Sequence, residues 1–86
     1  MWARLEFKRS VAKDLRCLPK RDLRRILDRI EALRDEPLPA GCEKLSANER
    51  YRIRQGAYRI LYEIHDTRLL VVVVKVAHKR EAYRSR

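Results

Sequence analysis

Apolar and polar residues alternate with period two from Trp2 to Phe7, shift to a helical period between Val11 and Leu33, and return to period two from Arg50 onward. Ala3, Leu5 and Phe7 fall on one side of the first segment and Trp2, Arg4 and Glu6 on the other, the pattern of a half-buried strand. Ser10 is placed to cap a helix. Val11, Leu15 and Leu18 then recur at helical spacing, and Pro19 ends the run. Leu23, Ile26, Leu27, Ile30 and Leu33 form a second stripe at i, i+3, i+4, i+7 and i+10, with Arg21, Asp22, Arg25, Asp28 and Arg29 opposite. Two amphipathic helices with a short break predict a helical hairpin laid on a sheet.

Residues 35–49 carry Pro37, Pro39, Gly41, Ser46 and Asn48 and read as a loop. Strands are predicted at 50–54, 57–65 and 68–77, with turns at Gln55-Gly56 and Asp66-Thr67. Such short connections require antiparallel neighbours. The last strand runs Leu70-Val71-Val72-Val73-Val74-Lys75-Val76, a continuous β-branched series that suits a position near the middle of a sheet. The expected fold is therefore α+β: an N-terminal strand, a helical hairpin, an antiparallel three-strand meander and a short polar tail after Ala77. The helices would cover one face of the sheet, the first strand would join it, and the other face would be basic.

The length of 86 residues allows a single domain, 1–86. The formal charge of +10 favours nucleic acid, an anionic membrane surface or an acidic protein as partner. The surplus is uneven. It is 3 over residues 1–43 and 7 over residues 44–86, the half rich in strands. Cys17 and Cys42 show no metal-ligand spacing and fit free thiols in a reducing compartment. The N-terminus lacks the pattern of a signal peptide, and the longest apolar run, Leu69 to Val74, is too short to span a bilayer. A cytoplasmic protein is expected.

The densest charge signal is Arg50-Tyr51-Arg52-Ile53-Arg54. In a strand its three arginines share one face, and Tyr51 and Ile53 take the other. Three guanidiniums in a row call for an anionic partner. Arg59 follows after the Gln55-Gly56 turn, and the chain ends His78-Lys79-Arg80-Glu81-Ala82-Tyr83-Arg84. Together these residues suggest a site for a phosphate backbone, with a tyrosine and a histidine close in sequence. Plainer roles are open too. Arg50 fits a solvated face, Arg59 could pair with Glu63 on its own strand, Tyr83 could be a plug under the sheet, and His78 could be a surface or capping histidine. Tyr51, Tyr58 and Tyr62 share their faces with isoleucines and read as core.

The order of elements, Tyr51-Arg52-Ile53-Arg54, Tyr58-Arg59-Ile60-Leu61-Tyr62 and the run from Val74 to Arg84 resemble the RelE/ParE superfamily of bacterial and archaeal toxins. The resemblance covers essentially the whole chain. The basic tail leading to a tyrosine is similar to the RelE branch. It implies a ribosome-dependent ribonuclease that cuts messenger RNA in the ribosomal A site. It also implies a cognate RelB-like antitoxin, through which operator DNA would be bound only indirectly. Carried over by position, the basic pair of the first meander strand falls on Arg52 and Arg54, the next-strand arginine on Arg59, the tail tyrosine on Tyr83, and the tail arginine on Lys79 or Arg80.

Cutting RNA without a metal needs three things: removal of the ribose 2′ proton, stabilisation of phosphorane-like charge, and protonation of the departing 5′ oxygen. No Asp/Glu/His cluster with metal-ligand spacing occurs, and no cofactor is implied. Arginines suit the second task, because their planar donors match phosphate and remain charged. A phenol has a pKa of about 10, which neighbouring cations lower. The expected assignment is Tyr83 as base, Arg54 and Arg59 as phosphate clamps, and Lys79 or Arg80 near the leaving oxygen, with His78 a competing acid or base. Arg50, Arg52, His78 and Arg84 are expected to contact RNA. Two other classes fit the composition: a ParE-like inhibitor of DNA gyrase, which would not need the tail, and a non-catalytic nucleic-acid-binding module.

Overall fold

The structure, a computed structural model, describes residues 3–45 and 49–78; Trp2, Ser46 and Asn48 lie outside this range. The elements run β1 (Arg4–Phe7), α1 (Arg9–Arg16), α2 (Lys20–Ala32), β2 (Glu43–Lys44), β3 (Arg50–Gln55), β4 (Tyr58–His65) and β5 (Leu70–His78). They build one five-stranded mixed sheet in the order β1-β5-β4-β3-β2. β3, β4 and β5 form the expected antiparallel meander, and β1 joins it parallel to β5. β5 is thus an interior strand, as its run of valines demands.

Two features depart from the sequence reading. The segment 35–49 contains β2, a two-residue strand that pairs Glu43 with Arg52 and Lys44 with Tyr51. Two residues cannot show an alternation, so the pattern of the chain does not announce it. Ser10 does not cap α1. The helix begins at Arg9, its N-cap is Lys8, and no side chain bonds the first turn there.

Both helices lie on one face of the sheet. Val11 from α1, Ile26 and Ile30 from α2 and Leu33 just beyond it are fully buried against Ile53, Ile60, Tyr62, Val71 and Val73. The Tyr51 and Tyr62 rings stack in this core with centroids 5.8 Å apart. The Tyr62 hydroxyl donates to the Pro37 carbonyl at 2.7 Å, which ties the loop after α2 to the sheet. The edges of the apolar stripe hold polar side chains that the sequence reading placed on the far side of α2. Asp22 accepts a hydrogen bond from the Tyr58 hydroxyl at 3.2 Å, and Arg29 is half-buried.

A register shift between β4 and β5 decides which face the end of β5 presents. Tyr62 pairs with Val73 but Leu61 pairs with Lys75, so Val74 is an extra residue. A bulge of this kind inverts the alternation beyond it. Val71 and Val73 face the helices before it, and Val76 and His78 face them after it, partnered with Ile60 and Tyr58. β1 stops at the Phe7–Val73 pair. Beyond that point Asp14 of α1 covers the edge of β5, accepting the Val76 N–H at 3.3 Å and pairing with Lys75 at 3.6 Å. Among the described residues no helix is long and apolar enough to cross a membrane.

Because Ile30 is fully enclosed and Leu27 of the same helix is 40% exposed, truncation should separate them. Ile30→Ala is expected to cost about 2–5 kcal/mol, a large share of the stability of so small a domain. Leu27→Ala should fall within about 1 kcal/mol of the parent. Urea denaturation of the two variants checks this, and equal losses would contradict the packing of α2.

Candidate nucleic-acid interface

The face of the sheet turned away from the helices carries Arg50, Arg52 and Arg54 from β3 and Arg59 from β4. The strand periodicity that buries Tyr51 and Ile53 puts the arginines there. Their cross-strand partners differ, and the difference sorts them. Arg50 lies opposite Glu63, Arg52 opposite Leu61, and Arg54 opposite Arg59.

Arg50 donates from Nη2 to Oε2 of Glu63 at 2.6 Å. The same carboxylate meets Nε2 of His65 at 2.9 Å through Oε1. Glu63 is therefore the partner of Arg50 rather than of Arg59. Arg52 turns the other way, to β2, and donates from Nε and Nη2 to Oε1 of Glu43 at 3.2 and 2.9 Å. The hydrogen bond and charge of Arg52 hold the Glu43 carboxyl below its ordinary range, and the charges of Arg54 and Arg59 act in the same direction. Glu63 is held low by Arg50 first and His65 second.

Arg54 is exposed, and among the described residues it has no carboxylate within ion-pair distance. Arg59, directly across from it, is only 5% exposed and is the one buried charged side chain among the described residues. Like charges placed opposite one another in a strand pair destabilise it.

His78 does not join this group. The bulge in β5 turns it to the helix side, where its ring packs edge-on against Tyr58 with centroids 5.5 Å apart. The phenols of the folded body lie on that side as well. Burial pushes Tyr62 well above the ordinary phenol value, and burial together with the Glu49 carboxylate raises Tyr51, whose hydroxyl donates to Glu49 Oε2 at 3.1 Å. Tyr58 is committed to Asp22. Lys79, Arg80, Tyr83 and Arg84 lie outside the described residues.

The model of the ParE toxin family of type II toxin–antitoxin systems, parDE, matches residues 5–83. The chain belongs to the RelE/ParE toxin superfamily. Within it, named relatives are RelE toxins. Toxin RelG of Mycobacterium tuberculosis is 32% identical over 82 residues, covering 93% of this chain and 94% of that protein. Among solved structures, the RelBE2 toxin–antitoxin complex of M. tuberculosis is similar at a TM-score of 0.79 and 30% identity, over 91% of this chain and 99% of that one. An archaeal RelE–RelB complex from Pyrococcus horikoshii gives 0.82 and 29%, over 92% and 97%. The chain is thus a type II toxin of the RelE family. Three of the similar structures, the two above and one from Methanococcus jannaschii, are complexes with an antitoxin.

Glu43 is the contributor to the toxin surface that sequence reasoning missed. A carboxylate inside a Pro/Gly-rich loop gives no sign that it will pair with a strand arginine. Its consequence is a pH dependence. Glu43 and Glu63 titrate lower in the folded toxin than in the unfolded chain, so the unfolded chain binds protons first as pH falls. The stability they supply is complete above the ordinary carboxylate range and is lost as pH drops through the depressed folded values. Urea midpoints should decline through the acid range for the wild type and decline less for Glu63→Gln. Parallel pH profiles would remove the Arg50–Glu63–His65 cluster as a stabilising unit.

Proposed function

We propose that this toxin is a ribosome-dependent, metal-independent endoribonuclease that cuts messenger RNA in the ribosomal A site, by attack of a ribose 2′-OH on the adjacent phosphate. The observation that carries the reading is the Arg54–Arg59 pair: two guanidiniums in direct register on the sheet face opposite the helices. Phosphate oxygens match the planar donors of arginine, and developing negative charge at phosphorus is stabilised by cations already in place. Arg50 and Arg52 surround the clamp while partnered with carboxylates, so they shape the field rather than grip the reacting group.

Arginine is a poor base. Of the four tyrosines, three are engaged on the helix side, with Tyr51 and Tyr62 held protonated. This supports Tyr83 as the base and Lys79 or Arg80 beside the leaving oxygen. The turn of His78 toward Tyr58 weighs against it as the acid. The ribosome holds the message in line, an entropic contribution that the toxin need not make. A RelB-like antitoxin, acidic or amphipathic, would silence the toxin and carry any contact with operator DNA.

A second reading has one specific observation behind it: the matching family model is that of ParE toxins. A ParE-like gyrase inhibitor would poison supercoiling without cutting RNA and without needing the tail.

Mapping of message 5′ ends on programmed ribosomes separates the two. Cleavage is expected to fall by about tenfold or more for Tyr83→Phe and by about a hundredfold for Arg54→Ala. Absence of new 5′ ends, with inhibited supercoiling, would replace the nuclease by the gyrase poison. Glu43→Gln, which releases Arg52, should tighten binding of an oligoribonucleotide several-fold at low salt. Unchanged binding would mean that Arg52 does not face RNA.

A further inference from the structure

β2 pairs only with Tyr51 and Arg52, so the outer edge of β3 is uncovered from Ile53 onward. The loop before β2 makes no ladder pair with β3 beyond Glu43–Arg52. It turns at Gly41, whose φ of +88° is left-handed, and the Cys42 N–H closes the turn onto the Pro39 carbonyl at 3.1 Å. Between loop, edge and helix lies an open pocket of about 560 Å³, lined by Arg29, Ala40, Gly41, Cys42, Glu43 and Arg54.

Two guanidiniums therefore look into one space from different layers of the fold. Arg29 comes from the last turn of α2, where the helix dipole favours a cation. Arg54 comes from the open sheet face. Neither has a carboxylate within ion-pair distance among the described residues. Glu43, the one carboxylate in the lining, is already bound by Arg52. No aromatic ring lines the pocket, so it offers nothing on which a nucleobase would stack. What it offers is a pair of planar cationic donors in an open setting, which is the chemistry of a phosphodiester site.

We propose that this pocket binds a second RNA phosphate, the neighbour along the strand of the one held at Arg54 and Arg59, with Arg29 as its main ligand. The inference rests on reading the open sheet face as an RNA site. Arg54 stands at the junction of the two positions, so a strand could run from the clamp around the bare edge of β3 into the pocket. Arg29 acts in binding and register, away from the bond that breaks.

The test is a binding measurement on the full chain with a short oligoribonucleotide made uncleavable by a 2′-deoxy sugar at the attacking position. Two further oligonucleotides each carry a neutral methylphosphonate on one side of the scissile phosphate. Arg29→Ala is expected to weaken binding of the fully charged strand by about tenfold. Its plot of log K against log salt should flatten by about 0.7. One methylphosphonate strand should bind the wild type weakly and show no further loss with Arg29→Ala, and Arg29→Lys should keep most of the affinity. The proposal is overturned if Arg29→Ala binds like the wild type, loses the same factor on all three strands, or weakens only an antitoxin complex. It is also overturned if the wild type binds none of the strands. Because no cleavage is measured, a toxin that binds in this pattern yet never cuts would remove the nuclease and leave the phosphate site. A nuclease indifferent to Arg29 would do the reverse.

Discussion

The register of β3 against β4 puts Arg54 opposite Arg59, and the surface chemistry of the toxin follows from that pairing. One step along the same ladder in either direction would have paired each with a neutral residue, Arg54 with Tyr58 or Ile60 and Arg59 with Ile53 or Gln55. The register cannot slip, because a shift of one residue would carry Ile53, Ile60 and Tyr62 out of the core and the arginines into it. The core therefore fixes two arginines in opposite positions of the ladder. Placements of that kind, fixed by the rest of the fold, are where binding sites are found.

The fold's own carboxylates complete the arrangement. Glu63 takes Arg50 and Glu43 takes Arg52, so two arginines of the row are neutralised locally, and Arg54 has no carboxylate within ion-pair distance among the described residues. In the proposed reading, the acidic residues thereby direct a phosphate toward Arg54 rather than toward Arg50 or Arg52. They also explain how a chain of charge +10 keeps a stable sheet: much of its positive charge is distributed over partnered pairs and solvated helix faces.

The architecture was legible in the sequence because its core segments are strongly periodic. The stripe of Ile26, Ile30 and Leu33, the alternation of Tyr51 and Ile53, and the β-branched run of β5 each have one reading. The phase of β5 does not. A row of valines looks the same on both faces, so the bulge at Val74 is invisible, and with it the turn of His78 toward the helices. β2 is too short to leave a pattern. Arg29 and Asp22 read as opposite the apolar stripe because a helical wheel marks the centre of a stripe more sharply than its borders. Sequence spacing identified the arginines but could not say which of them the fold had already paired.

The most direct test of the like-charge clamp compares the free and RNA-bound stability of the wild type and Arg54→Gln at low salt. An uncleavable oligoribonucleotide should raise the urea midpoint of the wild type and leave that of the variant nearly unmoved. A variant stabilised by RNA as much as the wild type would contradict the account.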